Sequence, residues 1–330
     1  MRYTLGAYLL GAGTTHHQKE RLPLQIFMAL LKQKDLKGIL LFFLMLIGAS
    51  LNHLLIAVED ILLPEISSIG FEKVVFILGH PRSGTTYLHK ALHGAPEVHT
   101  SSHYDLWFPS LILKVLGRPL LFLADWVTHH WSTKNHSIGI REELEEHHWL
   151  LMRFKSTDIP YVFPSLMNEF SLLKQCLRYT SDDFLFLKKC LQRVLYTKPS
   201  AQLYVGCPLG LAADYSLLRR HFPEAKILIC ARDSAEILPS SVDLAVSLMK
   251  RPFNDQKFQA FMRYGYETYS KKVFQNINAI FSKSRNSADG QIYIVLFERL
   301  KRDLRAEIAL VLSFIELNTD LNDLIEKIEK

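Results

Sequence analysis

Hydrophobic residues fall along this chain in short β-branched runs separated by longer stretches of helical period. Residues 73–78, Lys-Val-Val-Phe-Ile-Leu, stop at Gly79 and read as a strand buried on both faces. Runs at 203–205, 226–231 and 291–297 have the same character, and residues 97–100 offer a fifth strand. Helical patterns are predicted between them over 86–94, 183–196, 211–221, 235–249, 258–283 and 304–315. This alternation predicts an α/β fold, a parallel sheet of about five strands flanked by helices. Residues 105–152 read as a mostly helical insertion after the second strand. Ligands of such sheets sit beyond the carboxyl ends of the strands, which places the chemistry in the loops after Leu78, Val205 and Ala231.

The N-terminal pattern is different. Residues 38–58 are apolar except for Ser50, Asn52 and His53, a length about sufficient to cross a bilayer. The stretch is too long, and starts too far from the first residue, for a cleaved signal peptide. Residues 1–63 are therefore read as a mostly helical, apolar, membrane-associated appendage, and residues 64–330 as the α/β catalytic domain. Lys32, Lys34 and Lys37 would hold their side of a true span cytoplasmic. That would put the domain on the other side, whereas its four unpaired cysteines suit a reducing compartment. The expectation is an interfacial or re-entrant helix with the domain on the cytoplasmic face, a single span being the alternative.

Composition adds limits. With 330 residues, 48% of them hydrophobic, the chain can bury a large core, and no linker or repeat divides it. The net charge of +6 comes from scattered residues and fits an anionic small ligand rather than a nucleic acid. Cys176, Cys190, Cys207 and Cys230 have neither metal-ligand nor disulfide-framework spacing. The pairs His16-His17, His129-His130 and His147-His148 match no zinc motif, so no metal is expected.

The strongest local signal is Gly79-His80-Pro81-Arg82-Ser83-Gly84-Thr85-Thr86, which joins the first strand to the first helix. Its glycines have P-loop spacing, so the sheet is expected to be P-loop-like, with backbone N–H groups curled round an anion at a helix N-terminus. Thr85 stands where a nucleoside triphosphatase carries lysine, and Arg82 supplies the cation from within the loop. That argues against a nucleotide kinase or magnesium-dependent NTPase.

Residues 76–88, FILGHPRSGTTYL, closely resemble the 5′-phosphosulfate loop of the sulfotransferase superfamily, in the bacterial-type branch that carries arginine in place of lysine. The strand ending in Arg232, with Ser240 eight residues on, is similar to that family's 3′-phosphate site. The resemblance runs from about residue 51 to 317 and includes Phe297-Glu298-Arg299-Leu300 and the acidic stretch 139–148. It implies transfer of a sulfonate group from 3′-phosphoadenosine 5′-phosphosulfate, PAPS, to the hydroxyl of a small-molecule or lipid acceptor, without metal. On this likeness Arg82 stabilises the leaving phosphate. Ser83, Gly84, Thr85 and Thr86 cradle the 5′ end, and Arg232 and Ser240 bind the 3′ phosphate.

One departure concerns catalysis. The branch usually has a Lys-x-Pro turn after the middle strand, and here it reads Gly206-Cys207-Pro208. The histidine that cytosolic relatives carry near this turn is absent as well, the next one being His221. A base must still take the hydroxyl proton. Glu145, Glu146, His103 and Asp105 are the candidates. Glu145 is preferred because it aligns with the first acid of the branch's acidic triplet, whose third member is replaced by His147. His103 follows. A membrane-associated nucleotide-binding protein without transferase activity is the alternative that Gly206 keeps open.

Overall fold

A computed structural model describes residues 22–80, 82–120, 146–156, 159–176, 178–198, 203–233, 235–237, 240, 271, 273–279 and 290–329. Five strands, β1 (Val74–Gly79), β2 (Val98–His99), β3 (Leu203–Gly206), β4 (Lys226–Ala231) and β5 (Ile292–Leu296), form one sheet in the order β2-β3-β1-β4-β5. Every pairing is parallel. The expected P-loop-like α/β sheet with flanking helices is observed.

Period-two alternation in β1 feeds two cores. Phe76 and Leu78 pack on one face with Phe184, Leu187 and Leu191 of helix α4 (Ser181–Tyr196). Val75 and Ile77 pack on the other with Leu88 and Leu92 of α3 (Thr85–His93) and Ile308 and Val311 of α6 (Leu304–Ile315). The helix expected from residue 183 begins two residues earlier. Asp183 accepts from the backbone N–H and hydroxyl of Thr180, closing a capping box. The stretch expected as one helix over 211–221 is a 3-10 turn (Leu209–Asp214) followed by α5 (Tyr215–His221). Asp214, at φ −117° and ψ 39°, breaks the α-helical path.

Among the described residues two α-helices precede the sheet, α1 (Leu22–Lys32) and α2 (Leu36–Leu62). The Asp35 side chain caps α2 by accepting from Gly38 N at 2.8 Å. Leu22, Ile26 and Leu30 of α1 and Phe42 of α2 share a third core with Phe154 and Phe163. Further along, α2 is pinned by charge. Arg193 of α4 donates to Glu59 at 2.6 Å and Asp60 at 2.7 Å, with Arg193 and Glu59 both buried. Ser110 donates its hydroxyl to Glu59 at 2.6 Å.

Candidate functional site

Register decides which loops meet. Gly79 lies opposite Cys230 across the β1–β4 pair, so the loop leaving β1 emerges beside the end of β4. A Cβ on Gly79 would fall 2.6 Å from the Ser83 hydroxyl and 2.9 Å from the Cys230 carbonyl, so only glycine lets the chain curl back here. Arg82 and Gly84 both take left-handed backbone angles, φ +73° and +95°. The Arg82 conformation costs about 1 kcal/mol. A Cβ at Gly84 would lie 2.7 Å from the Phe297 ring.

The residues expected to form the anion site converge. Arg82, Ser83, Gly84, Thr85 and Thr86 make the loop and first turn of α3, Arg232 follows directly on β4, and Ser240 comes over them. The Arg82 Nε donates to the Ser240 hydroxyl at 3.0 Å. Arg232 donates a terminal nitrogen to the Arg82 carbonyl at 3.2 Å, and its guanidinium lies 4.5 Å from the centre of the Phe297 ring. Its Nε and other terminal nitrogen both reach Glu236, at 2.9 and 2.5 Å. Among the described residues the buried Ser83 hydroxyl has no hydrogen-bond partner, which fits a loop shaped for an oxygen-rich anion. Beside Arg232 a cavity of about 340 Å³ is lined by His80, Ile237, Phe274, Ile277 and Asn278, and His80 stacks on Phe274 at 5.3 Å. Among the described residues no group of three or more His, Cys, Asp or Glu could hold a metal ion.

Sequence comparison agrees with this geometry: the profile of the sulfotransferase family matches residues 74–321. The chain belongs to the sulfotransferase family. Two solved members share its fold at low identity. Sulfotransferase STF1 of Mycobacterium tuberculosis H37Rv superposes with a TM-score of 0.67 at 18% identity, over 98% of this chain and 90% of that one. Sulfotransferase STF9 of Mycobacterium avium gives 0.61 at 16% identity, over 97% of this chain and 84% of that one. Curated protein sequences give no match.

The four candidate bases of this sulfotransferase fare differently. Glu145 lies outside the described residues. Its neighbour Glu146 is buried, accepting from the Tyr204 hydroxyl at 2.5 Å and from Cys207 N at 2.6 Å. Ser101 completes the chain on Tyr204 at 2.5 Å. Burial and the adjacent Glu146 carboxylate hold the Tyr204 phenol well above its ordinary pKa, so it stays a donor. Asp105 caps the helix His103–Trp107 and pairs with Lys114 at 2.6 Å. Burial raises its pKa, but that ion pair and the hydrogen bonds from Ser102 outweigh it and leave the net shift downward. His103 stands half-exposed in the first turn of the same helix.

Three participants escaped sequence reasoning: Glu236, Phe297 as a ring against Arg232, and Tyr204. Glu236 had a readable signal in its i,i+4 spacing from Arg232. Phe297 and Tyr204 looked like ordinary strand residues, and only the register brings them to the site.

Proposed function

We propose that this sulfotransferase takes its sulfonate group from PAPS and delivers it to an acceptor hydroxyl. The observation that carries the reading is the link between two cations from separate strand ends. Arg232 donates to the Arg82 carbonyl, beside the buried and unpartnered Ser83 hydroxyl. A donor with anionic groups at both its 5′ and 3′ ends suits such a pair. On this reading Arg82 meets charge developing on the leaving phosphate. Ser83, Gly84, Thr85 and Thr86 hold the 5′ end, and Arg232 and Ser240 hold the 3′ phosphate. Glu145 is the proposed base, because Glu146 and Asp105 are already committed to buried partners.

Adenosine 3′,5′-bisphosphate, the desulfonated product, tests the reading. It raises the melting temperature without added magnesium, since a ligand of the native state stabilises by mass action. No shift at saturating ligand, or a shift that requires magnesium, rejects the donor assignment. A binding protein without transferase activity is the second reading, favoured by Glu146 filling the space beside Gly206. Labelled PAPS that binds but passes no label to any of a panel of hydroxyl acceptors would establish it.

A further inference from the structure

Helix α2 has two faces of opposite character. Gly38, Phe42, Ala49, Asn52, Ile56 and Glu59 form the inward stripe. The exposed residues between positions 40 and 54 are Leu40, Phe43, Leu44, Ile47, Leu51 and Leu54, without one polar side chain. Leu40 is 64% exposed and Ile47 65%. Helix α1 adds Leu24 and Met28, 55% and 56% exposed. The helix Leu111–Gly117 is bonded to α2 where Ile112 N donates to Glu59 at 2.8 Å. It adds Val115 and Leu116, 62% and 65% exposed. Three helices thus present apolar side chains, where a soluble monomer seldom exposes a patch above a few hundred Å².

We propose that the exposed apolar face of α2 seats the protein on a lipid bilayer, with α2 lying in the plane of the headgroups. Two observations choose the bilayer over a second copy of the chain. A protein interface carries about one hydrogen bond per 100–200 Å² and a polar rim, and the exposed face of α2 offers no group to make them. Hydrocarbon asks for none. At the N-terminal end of α2, Lys34 and Lys37 are exposed, positioned for anionic headgroups. Lys32 beside them donates to Glu169 at 3.0 Å.

The inward face argues against a span, although the 27 residues of α2 are long and apolar enough for one. Crossing the bilayer would strip the buried Arg193 of Glu59. It would also carry Asn52 and His53 into hydrocarbon and take the buried inward stripe of α2 off the domain. Interfacial seating keeps every one of these contacts. It requires no catalytic activity, so it stands or falls independently of the donor.

Flotation of the full chain with vesicles of phosphatidylcholine, alone or mixed with phosphatidylserine, tests the proposal. The protein floats with both and binds the anionic mixture more tightly. Leu40→Gln, Leu44→Gln and Ile47→Gln together abolish flotation, and circular dichroism verifies that the variant is folded. Lys34→Gln with Lys37→Gln weakens binding to the anionic vesicles roughly tenfold and leaves the zwitterionic case unchanged. As a second readout, Ile47→Cys carries an environment-sensitive fluorophore, the four native cysteines being buried. Its emission shifts to the blue on adding vesicles. A lipid-free dimer that ignores vesicles, a label that stays wet, or membrane-bound protein that resists alkaline carbonate each overturns the proposal. The last would reveal a span.

Discussion

The carboxylate of Glu146 occupies the space that any side chain on Gly206 would need. A Cβ on Gly206 would lie 2.6 Å from Glu146 Oε1 and 2.8 Å from its Cδ. Both oxygens of that carboxylate are tied, one to Tyr204 and one to Cys207 N, so it has no room to retreat. The position where the resemblance would place a lysine is thus closed by an acid held from the other side. Gly206→Ala is expected to destabilise the fold by about 1–3 kcal/mol through overpacking. Glu146→Ala leaves Tyr204 and Cys207 N without their acceptor, for a similar loss of about 1–3 kcal/mol. Urea midpoints measure both. An unchanged midpoint in Gly206→Ala would show that the carboxylate can move.

Arg82 and Ser240, which the proposed function assigns to opposite ends of the donor, touch each other at 3.0 Å. Arg82→Ala is expected to lower kcat more than donor affinity, because its charge matters most as the leaving group develops. Steady-state and binding measurements on the same variant separate the two. An equal loss in both would assign Arg82 to ground-state binding.

Glu236 holds the Nε edge of Arg232, the cation proposed for the 3′ phosphate, at 2.9 and 2.5 Å. The pair is exposed on the glutamate side and is worth only about 0.3–0.5 kcal/mol in itself. Glu236→Gln therefore tightens adenosine 3′,5′-bisphosphate a few-fold, with removal of like-charge repulsion adding to the gain. Arg232→Ala weakens it by roughly tenfold or more. That penalty shrinks for adenosine 5′-phosphate, which lacks the 3′ group. Calorimetric titration reads all of these, and an equal penalty for both nucleotides would remove Arg232 from the 3′ site.

Arg193 is fully buried and answered by Glu59 and Asp60. Glu59→Gln strands part of that charge, and Arg193→Ala strands a buried carboxylate, each expected to cost about 3–5 kcal/mol. Hydrogen exchange should speed up first in the second half of α2. Retained protection there would mean that apolar packing alone holds the helix.

Two histidines set an acid limit on stability. Burial pulls His53 down from 6.5 to about 4, with Arg153 and Lys189 adding to it and the Ala49 carbonyl opposing. His99 also falls to about 4, again mainly through burial, with Asp105 opposing. Between pH 6.5 and 4 the unfolded chain binds these protons and the folded chain does not. Stability is present in full above pH 6.5 and declines toward pH 4, with a slope approaching about 1.4 kcal/mol per pH unit for each group. Replacing either histidine with an apolar residue flattens the acid side of the denaturation profile.

The sequence by itself determined the sheet, because strands buried on both faces leave continuous β-branched runs and β1, β3 and β4 carry them. It pointed to the candidate anion loop too, since glycine spacing, a cation and hydroxyls over a few contiguous residues are local properties. Arg232 with Ser240 was singled out from the sequence for the same reason. What the tertiary structure decided are relationships between residues far apart in the chain. Glu146 reads as one acid among several until β3 places Tyr204 and Cys207 N on it, 58 and 61 residues away. The apolar run at 38–58 has the length of a span in sequence, and hydropathy cannot distinguish lipid from a protein neighbour. The core around Phe42 and the ion pair from Arg193, 134 residues from Glu59, give α2 an inward face and leave the other exposed. Pattern records what a segment prefers to bury, whereas the partner that buries it is fixed when the chain closes on itself.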